Sequence, residues 1–235
     1  MQVKSFGCSF IFGSELADEE SARQEHSKQA VPSELTWPAH LSNHLNSKYY
    51  CHARPGSGNL QIMERVLSHA VDPVSALYVI GWTWIDRFDY TSSTINRYGT
   101  FKFWRTLMPI DETETAKIYY KDLHSEFRDK LNTLTCMRLT IDFLRERNQP
   151  FIMTYMDNLT FDNQWNTTPA IAELQNYVKP YMTTFEGLNL QEWSKKNKYP
   201  ISNIGHPLEQ AHRSAGDYII QAFDKKSIGA HCHLS

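Results

Sequence analysis

The sequence has no surplus of positive charge: 24 Lys and Arg stand against 26 Asp and Glu, a formal net charge of −2. A globally basic nucleic-acid binder is thereby excluded, because that affinity comes from Lys and Arg facing phosphates. Cysteine is scarce and scattered at Cys8, Cys51, Cys136 and Cys232, with no C-x-x-C pair. That spacing fits neither a zinc knuckle nor a dense disulfide framework, and free thiols in a reducing compartment are the simplest reading. No apolar run approaches the ~20 residues that a membrane-spanning helix needs. Met1 to Phe6 carries no apolar leader segment, so a cytoplasmic location is expected and no membrane partner is. Internal repeats and low-complexity segments are also missing. What is present is an ordinary globular composition, 41% hydrophobic and 21% charged over 235 residues, enough to bury a core without metal or disulfide help. One domain spanning 1–235 is the simplest organisation, and composition leaves the oligomeric state open.

Short apolar runs alternate with longer helical patterns, the order of a parallel sheet covered by helices. Val3 to Phe6 reads as a first strand ending at Gly7-Cys8-Ser9, and Glu15 to Ser33 as a polar surface excursion. Thr36-Trp37-Pro38 opens a helix to about Leu45. Lys48 to Ala53 is a second strand, and after the turn at Pro55 to Asn59 a helix places Leu60, Met63, Val66 and Leu67 at helical spacing. Ala76 to Ile80 is continuous and apolar, as a strand covered on both faces should be. The aromatic and small polar residues of 85–111 read as a long loop or insertion. One helix is predicted from about Glu112 to Arg147, with an apolar face of Leu131, Leu134, Leu139, Phe143 and Leu144. Pro150 to Tyr155 is a fourth strand, Met182 to Phe185 a short fifth, and a last helix follows Pro207 to about Phe223.

Ligands of open α/β sheets bind beyond the carboxyl ends of the strands. Gly7-Cys8-Ser9-Phe10, Gly56-Ser57-Gly58-Asn59 and Gly81-Trp82-Thr83 all fall there, and Asn203-Ile204-Gly205-His206-Pro207 precedes the final helix. Each alone is an ordinary turn. Gly56 to Asn59 could also cap a helix as a phosphate-binding loop, but it lacks both the Gly-x-Gly-x-x-Gly pattern and a P-loop Lys. The order of all four blocks resembles the SGNH (GDSL-like) hydrolase family, divergently and over nearly the whole chain, residues 85–148 least of all. Gly7-Cys8-Ser9 stands where the family has a Gly-Asp-Ser-like turn, Gly58 matches its second-block glycine, and Gly81-Trp82-Thr83-Trp84 occupies the place of Gly-x-Asn-Asp. Asn203 to Pro207 matches Asp-x-x-His-Pro.

The resemblance implies a three-layer α/β/α fold with a flavodoxin-like parallel sheet of about five strands. It also implies an esterase or acylhydrolase in which Ser9 attacks a carboxylic ester and His206 is general base. Asn203 would take the orienting position, and Ser9, Gly58, Asn59 and Thr83 would surround the oxyanion. Two departures bear on strength: Thr83 offers a shorter donor than the family's Asn, and Asn203 lacks the charge of Asp. Relatives of this type are frequent in phage genomes, so the resemblance extends to a viral origin and a host cytoplasm.

Trp82 and Arg87 are the expected substrate contacts, aromatics stacking on a sugar and Arg clamping a carboxylate or phosphate. No cofactor and no metal are expected. His40 and His44 lie four apart but lack the H-E-x-x-H order, His231-Cys232-His233 sits in the terminal tail, and His212 reads as a packing residue. A scaffold that binds a glycan or small ligand without turnover is the alternative function. A phosphate or nucleotide binder using the Gly56 loop is the third.

Overall fold

The computed structural model describes residues 1–20, 31–96 and 99–227. Residues 21–30 of the polar stretch, Tyr98 and the His231-Cys232-His233 tail lie outside them. Strands β1 (Gln2–Phe6), β2 (Lys48–Cys51), β3 (Ala76–Trp82) and β6 (Phe151–Tyr155) form a parallel sheet in the order β2-β1-β3-β6. Helices cover both faces, giving the α/β architecture. The fifth strand expected at Met182 is reduced to a single parallel bridge to Met153, with Thr183 N–H donating to the Met153 carbonyl at 2.7 Å.

The two layers follow from strand alternation, which sends successive side chains to opposite faces. Val3, Leu77, Val79 and Ile152 meet α1 (Ser9–Phe12), α2 (Trp37–His44), α7 (Leu190–Lys196) and α8 (Glu209–Ser227), burying Phe10, Trp37, Leu41, Trp193 and Ile219. Phe6, Tyr78, Ile80, Trp82 and Met153 face the other way, onto α3 (Asn59–Ala70), α5 (Glu126–Glu146) and α6 (Pro169–Val178). Helix α5 presents Leu134, Met137, Ile141 and Leu144 at helical spacing to that layer. Every residue of β3 is buried, as its unbroken apolar run requires.

Two expectations change. The segment expected as a loop or insertion at 85–111 is not irregular: it holds an antiparallel hairpin, β4 (Phe88–Asn96) with β5 (Gly99–Leu107), in which Phe88 pairs with Leu107 and Tyr90 with Arg105. Its strands alternate, so Phe88 and Tyr90 pack with Leu107, Ala116 and Tyr119 while Asp89 points the opposite way. The predicted helix from Glu112 is broken. Helix α4 (Glu114–Ile118) runs into a π turn at Tyr119–Leu123 and His124 turns extended at ψ 140°. Ser125 then starts α5 as an N-cap, its side chain accepting from Arg128 N–H.

Among the described residues no helix is long and apolar enough to cross a membrane, and no group of three or more His, Cys, Asp or Glu is placed to hold a metal ion. His40 and His44 instead each meet a carboxylate of α8, Asp217 at 2.9 Å and Asp224 at 3.2 Å. His212 is buried, its Nδ1 accepting the Trp37 N–H that opens α2.

Candidate functional site

The sheet order reverses between β1 and β3, since β2 lies on one side of β1 and β3 on the other. The crevice at the carboxyl ends of those two strands is where such folds place ligands. Ser9 follows β1 there, as the first residue of the one-turn helix α1. The helix stops at once because Gly13 takes the left-handed conformation at φ 82°. A Cβ at Gly13 would lie 2.5 Å from the Ser33 Cβ, so glycine is required by space as well as by φ. The Ser9 carbonyl accepts from both Gly13 N–H (2.9 Å) and Ser14 N–H (3.1 Å), which folds the following residues back beside the Gly7–Ser9 turn.

His206 arrives on the loop before α8. Its Nε2 lies 2.9 Å from Ser9 Oγ, although 197 positions separate the two residues. Phe10 supports the imidazole edge-on, with centroids 5.0 Å apart. On the other ring nitrogen the sequence expectation changes. Nδ1 meets Glu15 Oε2 at 2.6 Å, not Asn203. Asn203 sits exposed at the turn apex beside Ile204, where Ser202 and His206 close on one another through Ser202 N–H to the His206 carbonyl (2.8 Å). A signal for Glu15 existed: a glycine stop one turn after Ser9, then a carboxylate within reach of the same rim.

The oxyanion expectations divide. Ser9 N–H, at the first position of α1, has no intrahelical acceptor. Gly58 N–H donates to Asp89 Oδ1 at 3.0 Å. The Asn59 amide donates to the Thr83 and Trp84 carbonyls and to Thr133 Oγ1, and its oxygen accepts Thr83 N–H at 2.9 Å. Thr83 Oγ1 is fully buried without a partner. The Gly58 and Thr83 N–H groups are thus engaged within the chain, and the Asn59 amide ties the start of α3 to the segment just after β3, while the buried Thr83 hydroxyl keeps its donor.

Asp89 explains the change at Gly58. It reaches from β4 to the start of α3, taking Gly58 N–H, Gln61 N–H (2.9 Å), Gln61 Nε2 (3.0 Å) and Thr106 Oγ1 (2.6 Å). A Cβ on Gly58 would lie 2.6 Å from that carboxylate, so glycine here admits Asp89. The anion position of the Gly56–Asn59 loop is thus filled by the chain's own carboxylate, which removes the footing for a phosphate-binding reading. Asp89→Ala unpairs several buried donors together and should cost about 2–3 kcal/mol. The measurement is the urea midpoint at constant slope; a shift near zero would show that water replaces the carboxylate.

Beneath the Gly7–Ser9 turn lies Arg65, whose Nη2 donates to the Gly7 carbonyl (3.4 Å) and Ser57 Oγ (2.8 Å). It couples the first and second blocks. Burial, with Arg54 nearby, brings its pKa down to about 10, so it keeps its charge at neutral pH.

Trp82, expected at the substrate, is fully buried in the core between sheet and α3. It is even-numbered on β3 and so faces inward with Tyr78 and Ile80. The next aromatic, Trp84, is half-buried and takes the rim position, edge-on to Phe10 at 5.4 Å. The Arg87 guanidinium stacks on Trp84 at 4.9 Å and donates to the Ser57 carbonyl at 3.0 Å. A cavity of about 280 Å³ shares Asn59 and Arg87 with this edge and is lined further by Leu60, Met63, Ile85 and Leu139; neither Ser9 nor His206 lines it.

No family model and no curated protein matches the chain. Among solved structures it is similar to a member of the lipolytic protein G-D-S-L family from Veillonella parvula, with a TM-score of 0.51 at 11% identity over 96% of this chain and 99% of that one. It is also similar to a carbohydrate esterase family 2 enzyme from Corynascus thermopiles (TM-score 0.49, 12% identity, 96% of this chain and 66% of that one). A psychrotrophic esterase from Pseudoalteromonas gives a TM-score of 0.44 at 10% identity, over 96% of this chain and 99% of that one. The likeness to the Veillonella protein establishes the fold, that of SGNH/GDSL-like hydrolases, at an identity too low to carry an activity with it.

Proposed function

We propose that this protein is a serine hydrolase of carboxylic esters, acting through an acyl-enzyme on Ser9 with His206 as general base. The single observation that carries the reading is the Ser9 Oγ to His206 Nε2 contact of 2.9 Å at the sheet's switch point. Attack of Ser9 Oγ on the ester carbonyl transfers the hydroxyl proton to Nε2. The imidazolium returns that proton to the leaving alkoxide, which departs as the alcohol. Water, deprotonated by the same nitrogen, then releases the acid and restores Ser9. Ser9 N–H is the oxyanion donor this reading uses, and one such donor contributes about 3–4 kcal/mol to transition-state binding.

Trp84 and Arg87 form the substrate platform of this reading: an indole able to lie against a sugar or acyl chain, with a guanidinium fixed over its face. An acyl or acetyl ester, on carbohydrate or on a small alcohol, is the proposed substrate class, and no cofactor enters the chemistry. The test is a fluorophosphonate probe. It should add to intact protein with the adduct on Ser9, read by peptide mass spectrometry, together with turnover of p-nitrophenyl esters. Folded protein that resists the probe at high concentration would remove the reading.

A second reading is motivated by the donors locked away at Gly58, Asn59 and Thr83. On it, the scaffold binds a glycan or small ligand at Trp84 and Arg87 with little or no turnover. Binding to a glycan panel without ester hydrolysis would favour it, and robust turnover lost on Ser9→Ala would eliminate it.

A further inference from the structure

The hydrolase reading leaves unassigned the group that orients His206, and the segment that follows α1 supplies one. Glu15 lies six residues beyond Ser9 and has φ 69°, left-handed backbone that is uncommon for a non-glycine residue. Its N–H donates to Glu19 Oε2 at 3.3 Å, and Ala17 N–H, two residues on, donates to Glu209 Oε1 at 2.9 Å at the start of α8. The carboxylate oxygen Oε2 accepts twice, from His206 Nδ1 at 2.6 Å and from Ser202 Oγ at 2.6 Å. Ser202 Oγ in turn accepts the backbone N–H of His206 at 3.1 Å. A hydroxyl has one proton to give, so accepting from His206 N–H leaves that proton for Glu15, and the three residues close a ring of hydrogen bonds.

From this ring we infer that Glu15 is the positioning residue of His206, with Ser202 fixing the carboxylate oxygen that holds the imidazole. The inference rests on the hydrolase reading for its catalytic meaning. A carboxylate only accepts, so it requires a proton on Nδ1 and leaves the lone pair of Nε2 facing the Ser9 hydroxyl. The same negative charge stabilises the imidazolium formed when that lone pair takes the serine proton. An acid placed shortly after the nucleophile, instead of three residues before the histidine, explains why an uncharged Asn203 is tolerated at the exposed apex. The side chains of Glu15 and His206 are 26% and 13% exposed, so the pair is screened from water far more than a surface ion pair.

The experiment has two arms. In the first, nitrogen-15 NMR of the imidazole reads the His206 tautomer in unmodified protein and in Ser9→Ala, neither of which needs to be active. Protonation at Nδ1 is expected, with its proton resonance moved to low field and lost from that position in Glu15→Gln. A neutral tautomer protonated at Nε2 overturns the inference, whatever becomes of Glu15→Gln as a folded protein. In the second, ester turnover by Glu15→Gln should fall about 10³- to 10⁴-fold in kcat with KM changed less than threefold, and Glu15→Asp should recover at least tenfold of that loss. Asn203→Ala should match the unmodified protein. A folded Glu15→Gln within tenfold of unmodified activity, or a larger loss in Asn203→Ala, overturns it. Failure of the hydrolase reading is distinct: the unmodified protein then shows no turnover and no probe adduct, while the tautomer still decides the role of Glu15.

Discussion

Replacing Ser9 with Ala should lower kcat for ester hydrolysis by about 10⁵- to 10⁶-fold, and replacing His206 with Ala should do nearly the same. The effect is large because the two groups act as one unit. Without Oγ there is no acyl-enzyme to form, and without Nε2 the hydroxyl keeps its proton. The Ser9→Ala, His206→Ala double variant should therefore lose little beyond either single change, and its residual rate over water should come from the Ser9 N–H and from substrate binding. KM should stay nearly constant across the set, since neither substitution touches Trp84 or Arg87, the proposed substrate platform. Steady-state kinetics with circular dichroism on each variant checks all of this. Losses that multiply instead of overlapping would mean that Ser9 and His206 do not share a step.

Acidification should destabilise the fold through His212, by about 3 kcal/mol between pH 7 and pH 4, or about 6–12 °C in Tm. Burial, reinforced by the nearby His206, pushes the His212 pKa down from 6.5 to about 4. An imidazole whose folded pKa is depressed binds fewer protons folded than unfolded across that window. The stabilisation of the neutral ring is therefore complete above pH 6.5 and is lost as pH falls towards 4. Geometry gives the same sign. Nδ1 of His212 accepts Trp37 N–H, and a proton added there would set donor against donor at the first turn of α2. His52, its pKa brought down to about 4 by burial and by the stacked His69, adds an effect of the same sign. In His212→Gln, whose side chain can still accept from Trp37, the dependence should flatten. Denaturant titrations of both proteins from pH 4 to 7 provide the check, and parallel curves would rule the mechanism out.

The parts of the fold legible in sequence are those governed by one strong local signal. Ala76 to Ile80 could only be a strand covered on both sides, and Pro38 in a first turn with Leu41 following marks α2. The Ser9 and His206 blocks were legible because each joins a strand or helix end to a polar residue at the sheet edge. Where several weak signals compete, local reading fails. Phe88 and Tyr90 alternate with polar residues as a half-buried strand should, yet the run of Thr and Ser after them reads equally well as a loop, and only pairing with β5 decides. Glu15 reads as one more residue of a polar stretch because its contacts depend on Ser202 and His206, nearly the whole chain away. Gly58 and Asn59 fit the oxyanion block by position, but Asp89 arrives from the hairpin and engages the Gly58 donor. Trp82 reads as a rim residue because β3 extends two residues farther than the apolar run Ala76 to Ile80 suggests.

The long separation of Ser9 from His206 also bears on the chain during its synthesis. The sheet strands β1, β2, β3 and β6 emerge from the ribosome before residue 206, so Ser9 is synthesised well before its imidazole partner. On the hydrolase reading, chains that end before residue 206 lack the base for Ser9, and the Ser9–His206 pair can form only once the last loop docks.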